Sequence, residues 1–156
     1  MGQAAEAKWA AKAVGSGPRD TARAMSQENL ELVKRAIAAL NERDIDRYLA
    51  CCTEDIELHT PLAAIGGVYN GPDGIRRFFA DVSDAGPDLR VIIERLEAIG
   101  ADRVLTFEHF SVSGRATGIP TPVDSANVFD LAEGKIKRVR MFLDRAEALQ
   151  AVGLQE

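Results

Sequence analysis

The chain has 156 residues, 46% of them hydrophobic and 28% charged. This is the length and mixture of one globular domain, and it excludes a disordered tail or a collagen-like repeat. No apolar run approaches the roughly 20 residues that cross a bilayer, so a membrane partner is not expected. A net charge of -5, with acids and bases mixed along the chain, argues against a nucleic-acid partner, which would call for clustered Lys and Arg. Cys51 and Cys52 are adjacent and cannot close an ordinary unstrained disulfide. With no CxxC or Cys/His ladder, structural zinc is excluded too.

Residues 1–24 are Ala-rich, carry GSGP in the middle and have only Trp9 and Val14 as bulky apolar groups. They read as a poorly ordered N-terminal extension ahead of a domain spanning 25–156. The stretch lacks the apolar core of a secretory signal, and Glu6 and Asp20 argue against a transit peptide, which makes the cytoplasm the expected compartment. From Ser26, a plausible N-cap, Leu30, Val33, Ile37 and Leu40 recur at helical spacing to about Asn41. Asp44 caps a second, short helix with Ile45, Tyr48, Leu49 and Cys52 inward. The segment from Asp55 to Pro61 alternates and stops at proline, as a strand does. After a Gly-rich loop, Pro72-Asp73-Gly74 opens a third helix that buries Ile75, Phe78, Phe79 and Val82.

Beyond Gly86-Pro87 the period changes from helical to alternating. Strands are expected at about 89–98, 103–113, 122–131 and 135–143, with tight turns at Gly100-Ala101-Asp102 and Ala132-Glu133-Gly134 that imply antiparallel pairing. Asp144 and Glu147 resemble a capping box opening a short last helix to about Val152. Helices followed by a long antiparallel run predict an α+β fold, with helices on one face of a curved sheet. The strand at 103–113 is partly apolar on both faces: Val104, Thr106, Glu108, Phe110 and Val112 on one, Leu105, Phe107, His109, Ser111 and Ser113 on the other. If helices cover one face, a second subunit is the simplest cover for the other, so a homodimer is expected.

This succession, with "NGPDGIRRFF" opening the third helix and "GKIKRVRMFLDRAEAL" closing the domain, resembles the SnoaL-like branch of the nuclear-transport-factor-two-like superfamily over about Met25–Leu154. The resemblance implies a cone-shaped α+β barrel: three N-terminal helices on a strongly bent, mainly antiparallel sheet, a short C-terminal helix, an apolar pocket, and usually a dimer. It also implies a choice among polyketide cyclases, ketosteroid isomerases, dehydratases, epoxide hydrolases and binding modules, because fold alone does not set function. Position by position, the ketosteroid isomerase groups are missing. Ala36 stands for the oxyanion tyrosine, Thr60 for the general-base aspartate and Ala126 for the protonated acid. Of the carboxylate pair of limonene-type epoxide hydrolases, one position is Met141. Arg138 and Arg140 alternate with Val139, Met141 and Leu143 and would face away from a pocket that the apolar residues line.

The candidate catalytic residues are Glu108, His59 and Tyr48. Glu108 shares a face with Val104, Thr106, Phe110 and Val112, which the resemblance turns toward the interior; desolvation there would raise its pKa into the range of a general base. A structural pairing of Glu108 with an arginine is the alternative. His59 belongs at the pocket mouth, where histidine titrates usefully, or is simply a rim residue. Tyr48 packs in the core and could turn its hydroxyl to the cavity. Leu58, Thr60, Phe79, Thr106, Phe110, Ala126, Val139 and Met141 are the expected pocket wall. No phosphate cradle or metal cluster is present in the sequence, so no cofactor is expected. Two functions remain: a cofactor-independent acid/base enzyme (isomerase, cyclase, lyase or hydrolase) acting on a small apolar organic ligand, or a non-catalytic ligand-binding or dimerisation module.

Overall fold

The computed structural model describes residues 18–61, 67–86, 88–113 and 118–154. Helices α1 (Pro18–Asn41), α2 (Ile45–Ala50) and α3 (Gly71–Ala85), strands β1 (Cys52–His59), β2 (Val68–Asn70), β3 (Ile92–Ile99), β4 (Arg103–Ser113), β5 (Pro120–Ala132) and β6 (Lys135–Phe142), and helix α4 (Arg145–Ala151) make a mixed α+β domain. One six-stranded sheet runs β2-β1-β6-β5-β4-β3, and all its pairs are antiparallel except β1 with β6. The expected fold class is the one observed. Register shifts interrupt β1/β6, β3/β4 and β5/β6, and such irregularities bend and twist a sheet locally.

The first helix starts eight residues before Ser26, so Ser26 lies within it and is no N-cap. Residues 18–24, assigned from sequence to an extension, are the start of α1; residues 1–17 lie outside the described residues. The inward face of α1 is Leu32, Val33, Ala36, Ile37, Ala39 and Leu40, a helical stripe against the sheet. Asp44 caps α2 as expected, its side chain accepting from the Arg47 backbone N–H. Helix α3 has Pro72 in its first turn and buries Gly74, Ile75, Phe78, Phe79 and Val82. At the β5–β6 hairpin, Glu133 and Gly134 have φ of 54° and 74°, the left-handed pair of a two-residue type I′ turn.

Two polar clamps hold the segment that leads into β3. The Asn41 side chain accepts from Val91 N (2.7 Å) and donates to Val91 O (2.9 Å). The Arg43 guanidinium donates to the carbonyls of Leu40, Gly86 and Leu89. Together they tie the ends of α1 and α3 to residues 89–91 and satisfy backbone groups that would otherwise be stranded.

The helix layer α1–α3 covers the concave face of the sheet, as expected. The other face is not left bare for a second subunit, however. Helix α4 crosses to it, and Ala148, Leu149 and Val152 form a second apolar cluster with Leu105, Ala126 and Val128. The sequence-level reason for expecting a dimer is therefore answered in part within the chain.

Gly74 lies where α3 crosses β2. A Cβ there would stand 2.9 Å from the Tyr69 carbonyl carbon, in backbone that cannot give. Gly74→Ala is expected to destabilise the fold by about 1–3 kcal/mol through overpacking, despite alanine's better helix propensity. Urea unfolding checks this; an unchanged or raised midpoint would refute it.

Candidate functional site

Between α1–α3 and the concave sheet lies a narrow cavity of about 60 Å³. Its walls are largely apolar: Ile37 and Leu40 from α1, Phe78 and Val82 from α3, Leu89 and Val91 from the clamped segment, and Leu58, Phe110, Phe129, Val139 and Met141 from the sheet. Four polar residues complete the lining: Tyr48, His59, Glu108 and Asn127.

Glu108 is the most deeply placed acid, only 3% exposed. It reaches the interior because β4 alternates: Val104, Thr106, Glu108 and Phe110 are buried on the helix side, and Arg103 ends the strand on the opposite face, paired with Asp130. The Thr106 hydroxyl donates to its carboxylate, and the Asn127 amide adds a second side-chain hydrogen bond. Among the described residues no basic side chain pairs with it; the structural alternative of an arginine partner is not what is found. Burial raises the Glu108 pKa above the ordinary carboxylate value, and the hydrogen bonds from Thr106 and Asn127 oppose that rise without cancelling it.

Tyr48 lies edge-on to Phe79, with ring centroids 5.2 Å apart. Burial, then the nearby Cys52, Glu108 and Cys51 groups, pushes its phenol well above the usual tyrosine range, so it stays protonated. Cys51 and Cys52 are both free and buried, as expected for small apolar groups. Burial pushes the Cys52 thiol up to about 12, so it is no thiolate nucleophile at neutral pH. His59 lines the cavity at its rim, half-exposed, and contacts the Glu57 carboxylate at 3.0 Å. No group of three or more His, Cys, Asp or Glu among the described residues could hold a metal ion.

Of the expected wall, Leu58, Phe110, Val139 and Met141 line the cavity. Thr106, Thr60 and Phe79 are one contact removed: Thr106 holds Glu108, the Thr60 hydroxyl reaches Met141 Sδ at 3.4 Å, and Phe79 backs Tyr48. Ala126 is a correction. It is fully buried, but under α4 on the opposite face of the sheet. The residues of β5 that share the interior face are Ser125, Asn127 and Phe129, because Thr106 pairs with Asn127 and Glu108 with Ser125. Sequence reasoning missed Asn127 and Ser125. The signal was there: Asp124 and Asp130 mark the even-numbered face as outward. Arg138 and Arg140 do point away from the cavity, and both pair with Asp130.

A family model described as SnoaL-like domain matches residues 33–139. No curated protein matches the sequence. Among solved structures, the fold is similar to that of TerC co-crystallised with polyporic acid (23% identity, TM-score 0.66, covering 80% of this chain and 98% of that one). It is also similar to a nuclear-transport-factor-two-like protein from Burkholderia pseudomallei (19% identity, TM-score 0.66, 81% and 98%). A third is SalBIII, an epoxide hydrolase/cyclase-like enzyme with a role in pyran ring formation in the polyether salinomycin (22% identity, TM-score 0.64, 74% and 90%). At this level of identity the likeness is one of fold, the cone-shaped α+β fold.

Burial of an ionisable acid sets a pH dependence. Because the folded Glu108 pKa lies above the unfolded value near 4.5, its favourable contribution is complete below that value and is lost as pH rises through the folded pKa. Glu108→Gln, which cannot ionise, should match the parent near pH 4 and become progressively more stable than it toward pH 8. Urea midpoints measured across that range check this; a difference that stays constant with pH would count against a carboxylate raised by burial.

Proposed function

The chain belongs to the SnoaL-like domain family, and on that premise we propose that its interior cavity binds a small, mostly apolar organic molecule and acts on it by cofactor-independent acid/base chemistry. The observation that carries this reading is Glu108, buried in an apolar cavity with hydrogen-bond donors but no cation. A carboxylate so placed is a stronger base than one in water, and the apolar walls keep competing water away. Tyr48, held protonated, supplies the neutral donor on the same cavity, and His59 stands at the mouth, where it can orient a ligand or exchange protons with solvent. Proton transfer from ligand to Glu108, with Tyr48 donating to an oxygen that gains charge, serves an isomerase, a lyase, a cyclase or a hydrolase alike.

The alternative, a binding module without turnover, draws on one observation. At Ala36 and Thr60 the ketosteroid isomerase groups are replaced by side chains that provide no phenol and no carboxylate. The two readings share the cavity and differ in what Glu108 does.

We further propose a homodimer in the cytoplasm. The sheet face that carries α4 also carries Phe107, which packs against that apolar cluster but stays half-buried between the guanidinium groups of Arg95 and Arg145, and the fold is held without a disulfide, as suits a reducing compartment. Light scattering on the eluting protein should give a mass about twice 16.9 kDa; the mass of a single chain would refute the dimer.

A thermal-shift screen against small ketones, lactones, epoxides, aromatics, phenols and alcohols tests the cavity. A ligand at about 100 times its Kd adds about 2.7 kcal/mol of stability, readily visible as a raised Tm. On the ligand class that binds, Glu108→Gln should lower turnover by at least about 100-fold with little change in binding. Unchanged turnover removes Glu108 as the base; binding with no turnover in the parent selects the binding module; no shift with any compound refutes the pocket.

A further inference from the structure

The interior face of β5 carries two buried polar atoms with no hydrogen-bond partner among the described residues, Asn127 Oδ1 and Ser125 Oγ. Both residues are enclosed, Asn127 at 5% exposure and Ser125 at 0%. They flank Glu108: Ser125 is its cross-strand partner, and Asn127 pairs with Thr106 one step along the ladder. Asn127 itself lines the cavity. Buried polar groups are almost always satisfied, and a polar atom left without a partner inside a cavity implies one that enters from outside the chain.

The direction of the missing partner follows from the chemistry of the quartet. Asn127 Oδ1 is the end of the amide without a partner, so the NH2 is the end that serves Glu108. Thr106 has spent its proton on the same carboxylate. The polar patch thus faces the cavity with acceptor capacity in excess: the remaining lone pairs of Glu108 and the Asn127 carbonyl. A carbonyl, ether or epoxide oxygen cannot satisfy either, because it has no hydrogen to give.

We infer that the ligand enters with a hydrogen-bond donor foremost, a hydroxyl of a phenol, enol or alcohol, placed between Asn127 Oδ1 and the Glu108 carboxylate with its apolar body along the aromatic walls. The inference rests on the proposed ligand pocket and adds to it the polarity of the ligand's head. Asn127 is then the residue that decides specificity, by rejecting molecules of the same shape that lack the donor. Ser125, fully buried and not part of the cavity lining, lies beside Glu108 and makes no contact with the ligand.

Matched pairs read this directly: phenol against anisole, and cyclohexanol against methoxycyclohexane, with toluene as the purely apolar probe, titrated by calorimetry into the full chain at pH 7. The hydroxyl member of each pair should bind at least about tenfold more tightly than its methyl ether. In Asn127→Leu that preference should shrink to within about threefold, with toluene affinity maintained; should Asn127→Leu not fold, Asn127→Ala carries the same comparison. Equal binding of hydroxyl and ether in the parent, alongside measurable toluene binding, overturns the inference and leaves the pocket standing. A preference undiminished in both variants overturns the role of Asn127. Binding by none of the five probes overturns the inference together with the pocket on which it rests.

Discussion

A carboxylate inside an apolar cavity is costly, and the architecture around Glu108 is arranged so that the cost is met by dipoles and not by a cation. The chain has arginines close at hand on β6, yet alternation sends Arg138 and Arg140 to the far face, where they pair with Asp130. Inside, Thr106 and Asn127 donate to Glu108. An arginine partner would have held the carboxylate at low pKa and made it a structural ion pair. Two neutral donors leave it raised, and the proposed chemistry depends on this choice of partner.

The partition depends on strand parity, and parity depends on the bends of the sheet. On β6, Ile136 and Val139 both face inward although they are an odd three positions apart, because the β5/β6 register slips between Asp130–Arg138 and Leu131–Ile136. That slip lets the strand continue with Val139 and Met141 on the cavity and its arginines outside. The clamps formed by Asn41 and Arg43 hold the segment that brings Leu89 and Val91 to the cavity wall. The hollow is kept open from both sides by polar contacts at its edges, since the apolar walls alone would favour closer collapse.

Much of this was legible from residue order, and the exceptions have physical causes. The buried face of α3 could be read from its helical stripe of Ile75, Phe78, Phe79 and Val82, whereas β4, apolar in part on both faces, needed the family resemblance to say which face turns inward. The start of α1 could not, because the residues after Pro18 form helix without an apolar stripe, and periodicity sees only the stripe. The position of α4 was hidden for a related reason: Ala148, Leu149 and Val152 declare an apolar face but not which side of the sheet receives it. Ala126 was expected inward only because the resemblance sets it at the position of the protonated acid, and a resemblance does not fix strand parity. The charges of Asp124 and Asp130 on the same strand give the parity without any counting.

Two titratable groups on one cavity have been pushed apart in role by the same burial. Burial raises both groups, and the nearby Glu108 adds to the rise at Tyr48, but the two start from points that lie far apart. The phenol therefore remains a donor across the whole physiological range, and the carboxylate is the group that can change state. On the proposed reading a fixed donor and a switchable acceptor give the cavity a direction: protons leave the ligand at Glu108, and negative charge that develops elsewhere on the ligand meets Tyr48. The ketosteroid isomerase arrangement, which the sequence resembles in fold and lacks in its three groups, concentrates two donors on one oxygen. Here the surplus lies with acceptors, so the same cone is set up for a ligand that arrives with hydrogen to give.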